Sequence, residues 1–299
     1  MKLAAIDIGS NAARLLITDV VTDENGHTQF NKLNLIRVPL RLGFDVFDTQ
    51  VISPEKEDHI IKTIKAYRAL IDVYGVEQYI ACATSAMRDA KNAAAIITHI
   101  KNETGIEIKV ISGDEEASFI YENHIAENLD KDHSYLYIDV GGGSTELTFF
   151  NDNQLVFKQS FNIGTIRIIK NQVEEAKWDE MKDFIRAKTK GYKEITCIGS
   201  GGNINKVFSM SKKKDGKPLS LDLLKDYYKE LSSFSVPDRM RVYNLREDRA
   251  DVIVPALSIY INVMRWSDAR EIFVPKIGLA DGLIHILWNT INKPTHVSS

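Results

Sequence analysis

AAIDIGSNAARLLI (4–17) and LYIDVGGGSTELTFF (136–150) are two copies of one pattern: an apolar strand ending in apolar-Asp-apolar-Gly, a small polar turn, and a second apolar strand. Each predicts a β-hairpin. Their aspartates, Asp7 and Asp139, lie 139 − 7 = 132 residues apart. The chain therefore reads as two halves that begin alike, with no shorter repeat and no low-complexity linker.

Working outward, the first hairpin continues through a Glu24-Asn25-Gly26 turn into FNKLNLIRV (30–38), a meander of three strands. Ser53-Pro54 then supplies a cap and a first-turn proline, and Ile60, Ile61, Ile64, Tyr67, Leu70 and Ile71 recur at helical spacing up to Gly75. A strand (QYIACA, 78–83), an Ala-rich helix from about Ser85 to Gly105, a strand (EIKVI, 107–111) and a helix opening near Asp114 complete the half. The second half repeats the grammar: strands at Tyr135–Asp139, Glu146–Phe150 and Leu155–Phe161, then helices alternating with EITCIGS (194–200) and EIFVP (271–275). The boundary is expected around Ile125 to Asp132.

Of the 299 residues, 44% are hydrophobic and 26% charged, and 38 Lys+Arg against 41 Asp+Glu give a net charge of −3. This excludes disordered, fibrous and membrane classes and leaves one large domain or two medium ones. No apolar run reaches the roughly 18 residues of a membrane span, and the short apolar start is broken at Asp7. Cys82 and Cys197 sit singly in strand-like runs, too scattered for a disulfide framework or thiolate site. A cytoplasmic protein with no membrane partner is expected. Near-neutral charge also argues against a nucleic-acid partner, although Lys212-Lys213-Lys214 could face a polyanion if it is not simply a solvated loop.

A strand that ends in Asp and turns through Gly and Ser brings backbone N–H groups, a hydroxyl and a carboxylate to one point, a combination suited to phosphate plus a divalent ion. Side chains at Gly141, Gly142 or Gly143 would hold an oxyanion off the amides. Asp139 and Glu146 are hard oxygen donors for Mg²⁺, directly or through water. One such hairpin is more often only a tight turn; two, facing each other, would clamp a polyphosphate. A third glycine cluster, Ile198 to Asn203, follows a strand and precedes a helix but meets neither the Walker A nor the dinucleotide pattern. Arg14, Arg88 and Arg167 lie just beyond strand ends, placed for bidentate phosphate contacts or for ordinary ion pairs. Ser112 to Ala117 puts Glu115 and Glu116 in a first helical turn. They differ by about 100° around the helix, so only one can face a cleft as a base for water, spacing leaves open which, and most such acidic runs do no more than complement the helix dipole.

These motifs resemble the exopolyphosphatase/guanosine pentaphosphate phosphatase family, within the sugar-kinase, actin and chaperone superfamily. RLG (41–43), ATSAMRDA (83–90), ISGDEEA (111–117), IGTIR (163–167), RADVIVPA (249–256) and GLADGL (278–283) join the two hairpins in carrying the likeness over nearly the whole chain. The resemblance implies an α/β fold of two ribonuclease-H-like (actin-like ATPase) domains, each a mixed five-stranded sheet flanked by helices, with a cleft between them. On that reading residues 1–125 and 126–299 are the two domains, with room for the last helix to pack back on the first. It further implies metal-dependent hydrolysis of the terminal phosphoryl group of polyphosphate or guanosine pentaphosphate, with Mg²⁺ or Mn²⁺ as cofactor. Glu116 would be the base, and Asp139 and Glu146 would associate with the metal, Asp7 being either a ligand of metal-bound water or a structural partner. Ser10, Asn11, Arg14, Arg88, Gly141, Gly142, Gly143, Ser144 and Arg167 would meet the phosphates, with Gly201 and Gly202 of the third glycine cluster beside them; a homodimer fits family habit. Two departures stand out. The chain stops soon after Trp288 and no histidine precedes an Asp, so the short form, without the added helical region of long members, is expected. Ala12-Ala13 also replaces a hydroxyl-bearing continuation of the first hairpin. A kinase of the same superfold, needing an acceptor, and a non-catalytic sensor or actin-like assembly protein are the competing readings.

Overall fold

The computed structural model describes residues 1–121, 133–152, 154–275 and 277–292. The first half contains β1 (Lys2–Ile8), β2 (Ala13–Thr22), β3 (Thr28–Val38), α1 (Gly43–Thr49), α2 (Pro54–Tyr74), β4 (Gln78–Ala83), α3 (Ser85–Asp89), α4 (Ala93–Thr104), β5 (Lys109–Val110) and α5 (Gly113–Tyr121). The second contains β6 (Ser134–Val140), β7 (Thr145–Asn151), β8 (Gln154–Phe161), α6 (Thr165–Ile169), α7 (Glu175–Thr189), β9 (Ile195–Ser200), α8 (Gly202–Ser211), β10 (Leu219–Ser220), α9 (Leu221–Ser232), α10 (Val236–Tyr243), α11 (Glu247–Ala250), α12 (Ile253–Trp266), β11 (Glu271–Phe273) and α13 (Leu279–Ile291). The segment expected to hold the domain boundary lies outside the described residues.

The first sheet has the order β3-β2-β1-β4-β5, and the second repeats it as β8-β7-β6-β9-β11. A sixth strand, the two-residue β10, is added antiparallel to β11, which the five-strand expectation did not include. In both sheets the meander is antiparallel, β4 or β9 pairs parallel with its first strand, and β5 or β11 pairs parallel beyond that. The duplication extends to detail. Gly9 N–H donates to Ala12 O at 3.0 Å and Gly141 N–H to Ser144 O at 2.9 Å, closing the same turn twice. Both middle strands slip register at the same place, after Ile17 and after Phe149, each ten residues past its aspartate. Two mixed sheets flanked by helices thus build the expected actin-like architecture.

β1 is apolar without alternation because both faces are covered. Ala4, Ile6 and Ile8 face one core with Leu15 and Ile17, while Leu3 and Ala5 face Leu279, Ala280, Leu283 and Ile284 of α13. The last helix therefore lies on the first sheet. α6 also crosses between the halves, since Ile166, fully buried, packs in the core of the first half. The Ala-rich stretch is two helices instead of one. Ala90 is extended, and Asn92 accepts from Ile52 N–H at 3.0 Å and donates to Ile52 O at 2.9 Å, so its side chain pairs with that backbone like a strand. EIKVI forms regular strand only at Lys109–Val110.

Ile166→Ala should lower the free energy of unfolding by about 2–5 kcal/mol, the usual cost of emptying such a site. Urea denaturation measures this; a loss below about 1 kcal/mol would mean that α6 is not anchored in the core of the first half.

Candidate active site

The two hairpin turns meet. A Cβ built on Gly142 would lie 2.9 Å from Ser10 Cβ, and one on Gly143 would overlap the Ser85 hydroxyl and the Phe47 ring. Ser10 Oγ and Ser85 Oγ share a hydrogen bond of 2.8 Å. Beside this contact opens a cleft of about 220 Å³ lined from both halves. Asp7, Ser10, Asn11 and Arg14 come from the first hairpin, Asp139, Gly141, Gly142 and Ser144 from the second, Gly201 and Gly202 from the third glycine cluster, and Glu116 from α5.

The second turn aims its amides by spending its carbonyls elsewhere. Gly141 O accepts from Thr165 N–H at 3.0 Å, Gly142 O from Ile166 N–H at 2.9 Å, and Gly143 O from Arg167 Nε at 2.8 Å. In a trans peptide the next N–H points opposite to the carbonyl. The N–H groups of Gly142, Gly143 and Ser144 are thereby turned away from α6, and they have no backbone acceptor among the described residues. Gly164 makes the arrangement possible, because a Cβ there would overlap the Gly142 and Gly143 backbone.

The two hairpins differ in charge at one register position. Asp7 stands opposite Arg14, and NH1 of Arg14 donates to Asp7 Oδ2 at 2.6 Å. Asp139 stands opposite Glu146. The first hairpin carries a buried ion pair and the second two carboxylates. Burial pushes Asp139 up, and burial together with Asp139 pushes Glu146 to about 7. Glu146 lies behind the lining, where Oε1 accepts from Ser160 Oγ at 2.9 Å and Oε2 is buried without a partner. The start of α5 packs here: a Cβ on Gly113 would fall 2.5 Å from Ser160 Oγ.

α5 separates its two glutamates. Glu115 closes a capping box, donating its N–H to Ser112 Oγ at 3.1 Å and accepting from Ser112 N–H at 2.9 Å, and it pairs with Lys109 at 2.7 Å. Glu116 is buried in the cleft wall with Oε2 unpartnered. Burial, then Glu146, Asp139 and Asp7, raise its pKa far above the usual carboxylate range, against a pull from Arg88. Arg88 lies behind the wall with NH1 on Ile111 O at 2.6 Å. Arg167 is also outside the lining; it bonds Gly143 O and Asp89 and stacks 4.0 Å from the Phe47 ring, a strut for the glycine turn.

Two cleft cations went unselected in the sequence. Arg37 from β3 and Arg249 from α11 line the cleft beside Arg14. Arg37 pairs with Asp248, but its Nε is buried without an acceptor. Arg249 lies over Gly202, where a Cβ would meet NH2 at 2.6 Å, and among the described residues its side chain donates to the neutral Asn203 Oδ1 at 2.8 Å and to no carboxylate. Burial, then Arg37 and Arg14, lower its pKa to about 9. Arg14 and Arg37 thus have the carboxylate partners Asp7 and Asp248, while Arg249 in the same wall has none among the described residues, which leaves it the cleft cation most open to an anion. RADVIVPA carried Arg249 in plain view, but nothing local marks which arginine of such a motif faces inward.

Two outcomes test this charge arrangement. A carboxyl whose pKa is raised on folding binds more protons folded than unfolded, so its contribution is intact below the unfolded value of about 4.3 and is lost as pH rises through about 7 for Glu146. Glu146→Gln should therefore gain stability relative to the parent protein as pH climbs from about 5 to 8, measured by denaturation without divalent ions; a constant difference would refute the raised pKa. Arg249→Gln should melt no lower than the parent, while losing the rise in melting temperature that tripolyphosphate gives the parent through selective binding of the folded state. An undiminished rise would remove Arg249 from the anion site.

The chain can now be set beside known proteins. A sequence model described as the Ppx/GppA phosphatase family matches residues 20–289. A bifunctional 3-dehydroquinate synthase/phosphatase of Fusobacterium nucleatum is 33% identical over 245 residues, covering 81% of this chain and 35% of that protein, so the chain spans about a third of its length. Exopolyphosphatase 1 of Mycobacterium tuberculosis is 23% identical over 95% of this chain and 87% of its own. Among solved structures, an exopolyphosphatase from Cytophaga hutchinsonii superposes with a TM-score of 0.84 at 27% identity, covering 98% of each chain. A Ppx/GppA protein of Aquifex aeolicus has the same fold, with a TM-score of 0.76 at 24% identity over 98% of this chain and 99% of that one. With the family pattern running from the middle of the first meander into the last helix, the chain belongs to the Ppx/GppA phosphatase family.

Proposed function

We propose that the protein hydrolyses the terminal phosphoanhydride bond of inorganic polyphosphate, with Glu116 as the base. The observation that carries this reading is the buried, unpartnered Glu116 Oε2 in the same cleft wall as the glycine turns and three arginines. The names of the exopolyphosphatase relatives support it. Guanosine pentaphosphate is the second substrate to compare. The cleft lining contains no aromatic ring among the described residues, so a purine would find no stacking platform there, and this favours the inorganic chain.

The physical obstacle is bringing an anionic base to an anionic phosphate. At about 4 Å two unit charges repel by roughly 1 kcal/mol in water and about 4 kcal/mol at an effective dielectric of 20. Arg14, Arg37 and Arg249 with the turn amides would hold the phosphoryl oxygens and offset that repulsion. Glu116 then takes a proton from water as the water oxygen bonds to the terminal phosphorus and the bridging P–O bond breaks, leaving the shortened chain with the electron pair. The same cations would draw the raised pKa of Glu116 back down, so that its side chain is ionised and can serve as the base in this step.

The donor set also fits a divalent ion. Glu146 Oε2 is a buried oxygen without a partner, and Asp139 and Asp7 line the cleft nearby. No three His, Cys, Asp or Glu side chains among the described residues come together as a metal cage. That suits Mg²⁺ or Mn²⁺, which is bound through one or two carboxylates, water and substrate oxygens. Asp139 and Glu146 would hold the ion, with Asp7 more engaged as the partner of Arg14. When bound, it would add positive charge at the phosphoryl oxygens.

Phosphate release should be measured from polyphosphates of graded length and from guanosine pentaphosphate, with and without chelator. Glu116→Gln should cut kcat by about two orders of magnitude or more with KM within a few-fold, and chelator should abolish release until Mg²⁺ is restored. Near-normal turnover of that variant would remove Glu116 from the reaction.

A further inference from the structure

Helix α8 begins in the cleft and ends on a lysine-rich turn. Gly202 and Asn205 line the cleft, while Asn203, Ile204, Val207 and Phe208 are buried. Helical spacing therefore puts positions 202, 205–206, 209 and 212–213 on the outer face. That face runs about 15 Å, ten residues at 1.5 Å each, from the wall under Arg249 to the turn. At its end Lys212 takes a left-handed φ of 54°, and Lys217 N–H donates to Lys214 O at 3.1 Å to close the turn through Gly216.

Between 206 and 217 stand Lys206, Lys212, Lys213, Lys214 and Lys217 against Asp215, a local charge of 5 − 1 = +4 in a chain whose net charge is −3. Lys213 Nζ donates to the neutral Pro218 O at 2.7 Å. The other four lysines form no ion pair among the described residues. Arg249, without a bonded carboxylate among the described residues, sits over the first residue of the same helix. Uncompensated positive charge thus continues from the cleft along one helix face to the turn.

We propose that this face is a track for the distal phosphates of a chain whose terminal phosphoryl group occupies the cleft. The proposal rests on the hydrolase reading above and adds to it a preference for polymers that outreach the cleft. A linear polyanion is the occupant because the track is cationic, continuous with the cleft and without apolar anchors.

The test is the variant Lys212→Gln/Lys213→Gln/Lys214→Gln, assayed with tripolyphosphate and with long-chain polyphosphate. KM for the long chain should rise about tenfold, while kcat and the tripolyphosphate KM stay within about twofold. The slope of log KM for the long chain against log salt should fall by roughly two, about 0.7 for each of three lost phosphate contacts. An unchanged long-chain KM, or equal rises for both substrates, overturns the track and leaves the hydrolase reading standing. If the parent protein releases no phosphate from either polymer, the hydrolase reading fails first. Titration of end-labelled long-chain polyphosphate into parent and variant then decides the track alone, equal affinities rejecting it. Tighter binding of a single-stranded oligonucleotide of equal charge would also reject it, in favour of a nucleic acid.

Discussion

The contact between Gly142 and Ser10 governs the geometry of the cleft. Two strand-end turns come within van der Waals reach only because one of them has no Cβ at that point. That approach brings Asp7 and Asp139 to one cleft and lets Ile166 enter the core of the other half. The same turn gives its carbonyls to α6 and Arg167, which frees its amides to face away from α6. A single methyl at Gly142 would press on Ser10 and Ile166 together, so packing of the domains and presentation of the amides are one problem with one solution.

Much of this was legible in the chain because it is written in local pattern. The hairpins, their duplication, the capped α2 and the unbroken apolar β1 follow from periodicity and turn chemistry acting on neighbouring residues. The misreadings arose where a distant residue intervened. The Ala-rich helix breaks because Asn92 finds the backbone of Ile52, forty residues earlier. Arg167 has the spacing of a phosphate ligand but is held by Gly143, Asp89 and Phe47. Arg37 was missed because a strand arginine carries no mark of its destination until β3 is seen at the sheet edge beside α11. Spacing alone leaves Glu115 and Glu116 equivalent and only the resemblance chooses between them; the physical reason is the Ser112 capping box, which claims one carboxylate and leaves the other for the cleft.

The duplicated halves share strand order, turn hydrogen bond and register slip, yet their charges diverge at the residue facing each aspartate. Arg14 in one hairpin and Glu146 in the other occupy the same place in the ladder. Two identical hairpins with Asp–Arg pairs would neutralise themselves and offer little to a ligand. Two with Asp–Glu pairs would crowd four carboxylates into one cleft. The mixed arrangement segregates the charge, with guanidiniums on the side of Arg14, Arg37 and Arg249 and carboxylates around Glu116, Asp139 and Glu146.

That segregation makes the cleft costly in two opposite senses. Burial and mutual repulsion raise the carboxyl pKa values while burial and neighbouring cations lower that of Arg249. Arg249 on one side and Glu116 with Glu146 on the other are each short of the opposite charge, and low-dielectric walls make the shortage count. A phosphate chain supplies negative charge to the arginines but would worsen the carboxylate side by itself. On the proposed reading, a phosphate chain carrying a divalent ion would relieve both, because it brings an anion and a cation together. Both shortages have one origin, a fold that buries unlike charges in the wall of a single cleft.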